Sequence, residues 1–477
     1  MNDRGALLAA LGAIFPPDRL ILEPEQLLTY ECDGHTLERA LPSAIVIPTS
    51  TAEIQETLRV CHERAVPFVA RGTGTGLSGG ALALDGAVVI ALTLLDRILS
   101  IDVANRSAVV QPGVINARLS RAAAPHGLCY APDPSSQGAC TLGGNVAENS
   151  GGPHTLKYGV TTNHVLGLEL VLPDGELLRL GSENGSSPGY DLRGVLIGAE
   201  GTFGIVSEIT VRLTPLAPAV ATFLAVYDSI DAACETVSAI IGGGTVPAAL
   251  ELIDHVGIVA VESHLKVGYP LDAQAVLLIE LEGSELEVDA AAERTVALCR
   301  EHAAREVRRA ASAEERAALW KGRKQALGAL GRLAPAYYTL DGVVPRARVP
   351  EAIRRIGEIG AKHGLRIANV CHAGDGNMHP LILFDPEKEG EVDRVHQAGE
   401  AILRMCVELG GALSGEHGIG IEKRELMPLC FSADDLAQMM RVRDCFDPET
   451  RCNRGKIFPT GAPTPTSQLP RRVGGWM

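Results

Sequence analysis

Two short segments hold residues able to bind a metal ion and move a proton. In CHAGDGNMH, His372 and His379 stand seven residues apart across a glycine-rich turn that follows a strand-like run, RIANV. Histidines on either side of a sharp turn can converge on one point. In SGEHGIG, Glu416 and His417 sit in a second glycine-rich loop, after a helix expected to end near Gly410 and Gly411. Two histidines and a carboxylate with positions left open form a usual divalent-ion set, most often for Zn2+, with Mn2+ or Fe2+ also suited. A histidine pair alone is more often structural than ligating, so the pattern needs support from elsewhere in the chain. Asp375 and Asn377 suit hydrogen bonds that fix the turn better than contacts to a substrate.

Three further stretches are dense in glycine. RGTGTGLSGGA at 71–81 follows a predicted strand, PFVAR, and its consecutive amides can form a nest for an anion. It is not a clean G-x-G-x-x-G opening a helix with an acidic residue about 20 positions later, nor does it contain G-K-[ST], so a nicotinamide or nucleoside-triphosphate site is poorly supported. PDPSSQGACTLGGNVAENSGGPHTLKYG at 132–159 gathers Gly, Ser, Asn and Thr in one segment long enough to wrap a ligand. IGAEGTFGIVSEI at 197–209 ends in a strand.

These segments need rigid elements to hold them, and the chain has length for more than one core at 477 residues. From about 40 to 215, short β-branched runs (44–48, 67–71, 88–92, 107–114) read as strands, 51–65 as a helix capped by Ser50 or Thr51, and 167–180 as a hairpin turning at Asp174-Gly175. The second half predicts long helices near 286–306, 312–333, 350–363 and 393–409 over one antiparallel sheet that includes AVLLIELEG and AYYTLDGVV. PLAPAVA at 215–221 suits a boundary, and no internal repeat is evident. GALLAALGAIF near the N-terminus reads as a short amphipathic helix stopped by Pro16-Pro17, not as a signal peptide.

Composition excludes several functions. A net charge of −15 leaves no basic stripe for nucleic acid. Eleven cysteines without a C-x-x-C pair predict reduced thiols, and no iron–sulfur cluster in this chain. No apolar run approaches the roughly 20 residues of a membrane span, which makes a cytoplasmic location the expectation.

The three glycine-rich stretches, with H-x-G-D-G-N-x-H, G-E-H-G-I-G and a closing NRGKIFP, together resemble the vanillyl-alcohol-oxidase/p-cresol-methylhydroxylase family of FAD proteins. Within it they are similar to the branch that oxidises D-2-hydroxy acids: glycolate, D-lactate and D-2-hydroxyglutarate. The resemblance runs from about residue 15 to 460. It implies an α+β fold, with a two-lobed FAD-binding domain over 1–215 (core about 40–215) and an α+β, ferredoxin-like substrate or cap domain with the metal site over 216–410. A segment over 411–460 then returns to the flavin, and 461–477 forms a flexible tail.

Carried over by motif, Arg71, Gly72, Thr73, Gly74, Thr75, Gly76, Leu77 and Ser78 would hold the FAD pyrophosphate. Pro132, Asp133, Ser136, Gly143, Gly144, Asn145 and Ser150 would line the isoalloxazine and ribityl chain. Glu200, Gly201 and Ile205 would contact the adenosine side, and Asn453 and Lys456 would return to the flavin. Thr75 stands where covalently linked relatives often carry His, which implies non-covalent FAD; Arg454 stands where Pro is usual. The resemblance makes His372, His379 and Glu416 metal ligands, His417 the base and Arg323 of WKGRK the anchor for a carboxylate, with Lys324 and Lys321 weaker choices. Asp341 would shape the pocket or its edge.

The implied reaction is FAD-dependent oxidation of a small 2-hydroxy acid, glycolate first and D-lactate second, to the 2-oxo acid. The hydroxyl proton goes to His417 and a hydride from C2 to flavin N5. Electrons would pass to a partner subunit, a quinone or a cytochrome. A second flavin-type subunit and an iron–sulfur subunit are the implied partners, through which the chain could associate with a membrane. A dehydrogenase of D-lactate or D-2-hydroxyglutarate acting alone is the near alternative. A metal-dependent hydrolase leaves three glycine-rich segments without a ligand, and a non-catalytic flavin subunit leaves the His/Glu/Arg set without a role.

Overall fold

The computed structural model describes residues 4–182 and 189–461. The first lobe opens with a small sheet in the order Leu20–Ile21, Ala44–Val46, Val88–Ala91, Phe68–Arg71, whose last three strands are parallel. Helix Thr51–Glu63 makes the crossover; the Ser50 hydroxyl accepts the Glu53 amide at its start, and Ile54, Leu58 and Cys61 face the core. The N-terminal helix, Arg4–Ile14, adds Leu7 and Leu11 to that core. A second, antiparallel sheet runs Ile98–Asp102, Ser107–Val110, Ile205–Arg212, Val165–Val171, Leu177–Gly181. The strand expected over 107–114 stops at Val110, because Pro112 has no N–H for a ladder.

The second lobe is an eight-stranded sheet in the order Glu306–Arg309, Ala219–Tyr227, Ala275–Gly283, Ala249–Asp254, Arg366–His372, Asn377–Phe384, Ala336–Thr339, with Gly342–Val343 also on Asn377–Phe384. All its pairings are antiparallel. Helices Ile230–Gly242, Glu285–Glu301, Val349–His363 and Glu391–Glu408 cover one face. The expected single cover is incomplete: helices His255–Leu265, Ala313–Lys324 and Ala326–Leu330 pack on the other face. Strands buried on both faces read as continuous apolar runs, so their sequence does not reveal a second helical layer. Two helix expectations also change. The chain leaves the first at Glu301 and returns as strand Glu306–Arg309, and the helix expected over 312–333 is broken at Gln325.

Past Phe446 the chain returns to the first lobe, where the Asn453 amide donates to the Phe68 carbonyl at 2.8 Å. The cysteines of the described residues are unpaired. Beyond Gly461, the expected tail lies outside the described residues.

Candidate functional site

Strands Arg366–His372 and Asn377–Phe384 form a hairpin in which His379 stands opposite Val370. Val370 and His372 share a face, because side chains alternate along a strand, so the two histidines are diagonal neighbours on one side of the sheet. The turn between them needs Gly376, at φ +85°, and is closed by the Asn377 amide donating to Asp375 Oδ1 at 3.0 Å. The imidazole centroids lie 5.0 Å apart. Glu416 Oε1 is 3.2 Å from Nε2 of each ring. That is close to the spacing of two ligand atoms around an ion that holds each at about 2.0–2.1 Å. The other nitrogen of each ring is turned outward: His379 Nδ1 meets the Leu340 carbonyl at 3.4 Å, and His372 Nδ1 lies 2.9 Å from both Glu251 oxygens.

Asp341 is the scaffold of the Glu416 loop. Its fully buried carboxylate accepts the Ser414 hydroxyl at 2.6 Å and the amides of Gly415, Glu416 and His417 at 2.9, 3.1 and 2.8 Å. Burial alone would raise Asp341, but His417, Lys423 and His379 outweigh it and bring it down to about 2. Its oxygens are thereby committed, so it fits the role of scaffold better than that of ligand. Burial holds His417 down to about 4, against the pull of Asp341. The ring is therefore neutral near pH 7, and its buried Nδ1 has no partner. Glu416 lies well below the carboxylate range: burial opposes this, and the two histidines override it. Burial likewise lowers His372, but Glu251 and Glu416 drive it well above the ordinary imidazole value.

Arg323 is supplied by helix Ala313–Lys324, on the sheet face that carries the histidines. It is 1% exposed. The expectation of a fork open to a substrate carboxylate changes here: one terminal nitrogen is already 2.6 Å from Glu251, while buried Nε has no partner. Lys324 is 3.3 Å from Asp133 and faces the same cavity, whereas Lys321 is exposed.

A cavity of about 440 Å3 joins these groups to the glycine-rich loops, within the size range of cofactor pockets. It is lined by Arg71 to Leu77, by Ser136, Gly144, Asn145, Ser150, Glu200, Gly201 and Asn453, and at its far end by Arg323, His379, Glu416 and His417. Arg71 is buried and its Nη1 has no partner, which suits a phosphate. Gly151 lets the flavin-type segment approach the metal-type residues: a Cβ there would lie 2.8 Å from Glu416 Oε2. Gly143 lines a smaller adjoining cavity with Gly204 and Val206.

Several expected residues do other work. Ser78 is fully buried, and its carbonyl accepts the amides of Ile421 and Glu422. The Pro132 carbonyl accepts from Asn116, and Asp133 is held by His154 at 2.9 Å and by Lys324. Ile205 turns into the core, since strand alternation gives the cavity to its neighbours Gly204 and Val206. The Glu200 carboxylate is not free for an adenosine: at 2.7 Å it accepts the amides of both Ile419 and Gly420. Lys456 is buried against the Leu82 carbonyl and Asn453, outside the cavity lining.

Sequence reasoning did not single out Glu251, Glu148 or the pair His154–Glu280. Glu251 and Glu280 are acids flanked on both sides by apolar residues within the strands ALELID and AVLLIELEG, and that signal could have found them. Glu148 lines the cavity, half-buried, with one buried oxygen unpartnered. His154 bridges Asp133 and Glu280, the latter also held by Thr222, Arg316 and Trp320. These contacts give partners to both His154 nitrogens and both Glu280 oxygens.

Residues 42–181 match the family model described as FAD binding domain, and residues 216–457 that of FAD linked oxidases, C-terminal domain. The chain is 45% identical over 458 residues to the glycolate oxidase subunit GlcD of Escherichia coli (strain K12), covering 96% of this chain and 92% of that one. It is 32% identical to the D-lactate dehydrogenase of Anaerostipes hadrus, covering 88% and 90%. The solved structure of p-cresol methylhydroxylase with substrate bound aligns with a TM-score of 0.80 over 95% of this chain and 97% of that one. At 15% identity, that likeness is one of fold.

Proposed function

The chain belongs to the FAD-linked oxidase family, and from that premise we propose that it oxidises glycolate to the 2-oxo acid as one subunit of a larger enzyme. FAD-dependent oxidation of a 2-hydroxy acid is the chemistry of the family branch. The observation that supports this substrate class here is the single cavity, which lines His417, Arg323, His379 and Glu416 up with the glycine-rich FAD segments.

When bound, FAD supplies the hydride acceptor, and a divalent ion on His372, His379 and Glu416, with Zn2+ the first choice, lowers the hydroxyl pKa to within reach of a weak base. Arg323 offers its unpartnered Nε to the substrate carboxylate. Asp341 fixes the loop, so that His417 presents a neutral ring whose Nδ1 takes the hydroxyl proton. Arg71 and the 72–77 loop hold the pyrophosphate, and Asn145 and Ser150 the flavin end. Thr75 lines the cavity in place of a histidine; acid precipitation is expected to release the flavin into the supernatant.

GlcD is by name a subunit of glycolate oxidase. We extend that to this chain, with a second flavin-type subunit and an iron–sulfur subunit as electron partners. No helix among the described residues is long and apolar enough to cross a membrane, and we place the enzyme in the cytoplasm. An anaerobic panel of glycolate, both lactates, both 2-hydroxyglutarates and malate tests the reading by bleaching of the flavin band. Glycolate is expected to bleach it fastest. Faster bleaching by D-lactate would favour the reading that the A. hadrus relative supports, and no bleaching by any acid would overturn the proposal.

A further inference from the structure

Strand Ala249–Asp254 lies between Ala275–Gly283 and Arg366–His372 and is buried along its length. Its pattern calls for an apolar residue at 251, yet the position holds a glutamate that is 1% exposed. Register places Glu251 directly opposite His372. Both its oxygens lie 2.9 Å from His372 Nδ1, and one lies 2.6 Å from a terminal nitrogen of Arg323. The same guanidinium nitrogen stands only 3.4 Å from His372 Nδ1. A guanidinium has no acceptor atoms, and an imidazole that offers Nε2 to a metal carries its proton on Nδ1. Two donors at that separation need an acceptor between them, and Glu251 supplies it.

We propose that Glu251 is a positioning residue that serves two parts of the site at once, fixing the tautomer and ring orientation of His372 and holding Arg323 with Nε turned free for the substrate. The proposal rests on the metal-assisted reading above. A carboxylate behind a ligating histidine orients the ring and raises its basicity. Here the same carboxylate also supplies the counter-charge that lets an arginine remain buried beside the ligand. Metal binding and carboxylate binding therefore share one support, and damage to it is felt in both.

The experiment uses Glu251→Gln as the FAD-loaded protein. The amide keeps the shape but presents a donor to one of its two donor neighbours. Zn2+ affinity, measured by competition with a chelating dye, is expected to fall about 10–100-fold, the usual cost of losing such a partner. KM for glycolate is expected to rise, while flavin content and the near-UV spectrum stay those of the wild type. A folded variant with wild-type Zn2+ affinity and KM would overturn the proposal. Should this variant not accumulate as a flavoprotein, Glu251→Asp retracts the carboxylate by one methylene. It is expected to show a smaller loss of Zn2+ affinity, and an unchanged affinity and KM there would overturn the proposal equally. A wild type that binds no Zn2+ and keeps full activity after chelation sinks the metal reading itself, and this proposal with it. That outcome is read on the wild type alone, so the two failures are told apart.

Discussion

The imidazole of His417 lies flat on that of His379, with ring centroids 4.9 Å apart and planes inclined by 12°. Burial first, and then the neighbouring ring, oppose a positive charge on His417, and they hold it down to about 4 even with the Asp341 carboxylate close by. A base depressed in this way is unprotonated throughout the neutral range. The acid limb of kcat/KM is therefore expected nearer pH 4 than the ordinary imidazole value, with no inflection between pH 6 and 7. A clear titration at pH 6–7 would reject His417 as the group that limits the reaction. His417→Ala is expected to retain FAD while anaerobic flavin reduction slows by ~10² or more, the scale of a lost general base.

His372 and His379 each bring Nε2 to 3.2 Å from the same Glu416 oxygen. His372→Ala is expected to lose divalent metal and activity together while the flavin spectrum persists. Exhaustive chelation of the wild type is expected to give the same phenotype, reversed by Zn2+ or Mn2+. Full turnover in protein shown to be metal-free by mass spectrometry would remove the ion from the reaction.

Much of this site was legible because its parts lie in contiguous motifs: both histidines within CHAGDGNMH, and Glu416 with His417 in one loop. What was illegible depended on tertiary contacts. Glu251 meets His372 across 121 residues, and an acid that breaks an apolar run shows its position in the strand without showing the partner that holds it. The second helical layer was hidden for a related reason, since strands such as Ala275–Gly283 are apolar on both sides and do not say what covers them. In the glycine loops, Ser78 and Ile205 are buried outside the cavity lining, and a motif records neighbours without recording which of them reach the cavity. Glu200 shows the same limit: it belongs to the flavin-type segment, yet its carboxylate grips the Ile419–Gly420 backbone of the other lobe.

Glu148 and Glu200 bring two buried carboxyls to one place. Both would crowd a Cβ at Gly418, at 2.2 and 2.9 Å from their nearest oxygens. Burial, then repulsion by Glu200, pushes Glu148 well above the carboxylate range, with Lys423 and Lys456 compensating in part. The sign follows from the linkage relation. A carboxyl raised in the folded state favours folding below its unfolded pKa, and that contribution is lost as pH rises toward the folded value. Glu148→Gln, a neutral isostere, is therefore expected to match or exceed the wild-type melting temperature at pH 8, with the advantage shrinking toward pH 4. A variant markedly less stable than wild type at pH 8 would show that Glu148 works as an ionised group.

His154 ties the flavin-binding segment to the helix that bears Arg323. Its ring is 2.9 Å from Asp133 and 3.3 Å from Glu280, and it stacks on Trp320 with centroids 5.6 Å apart. Burial would lower this imidazole, but the two carboxylates prevail and raise it to about 10, from 6.5. Its contribution to stability is thus complete below about pH 6.5 and disappears as pH rises through about 10. His154→Gln is expected to cost about 1–3 kcal/mol at pH 6, less than the 3–5 kcal/mol of an unrelieved buried charge, because Lys324 still holds Asp133 and Arg316 still holds Glu280. Urea unfolding of wild type and variant at pH 6, 8 and 10 checks this. The gap between the two curves is expected to narrow as pH rises; a gap that stays constant to pH 10 would mean that His154 contributes by packing on Trp320, and not by charge.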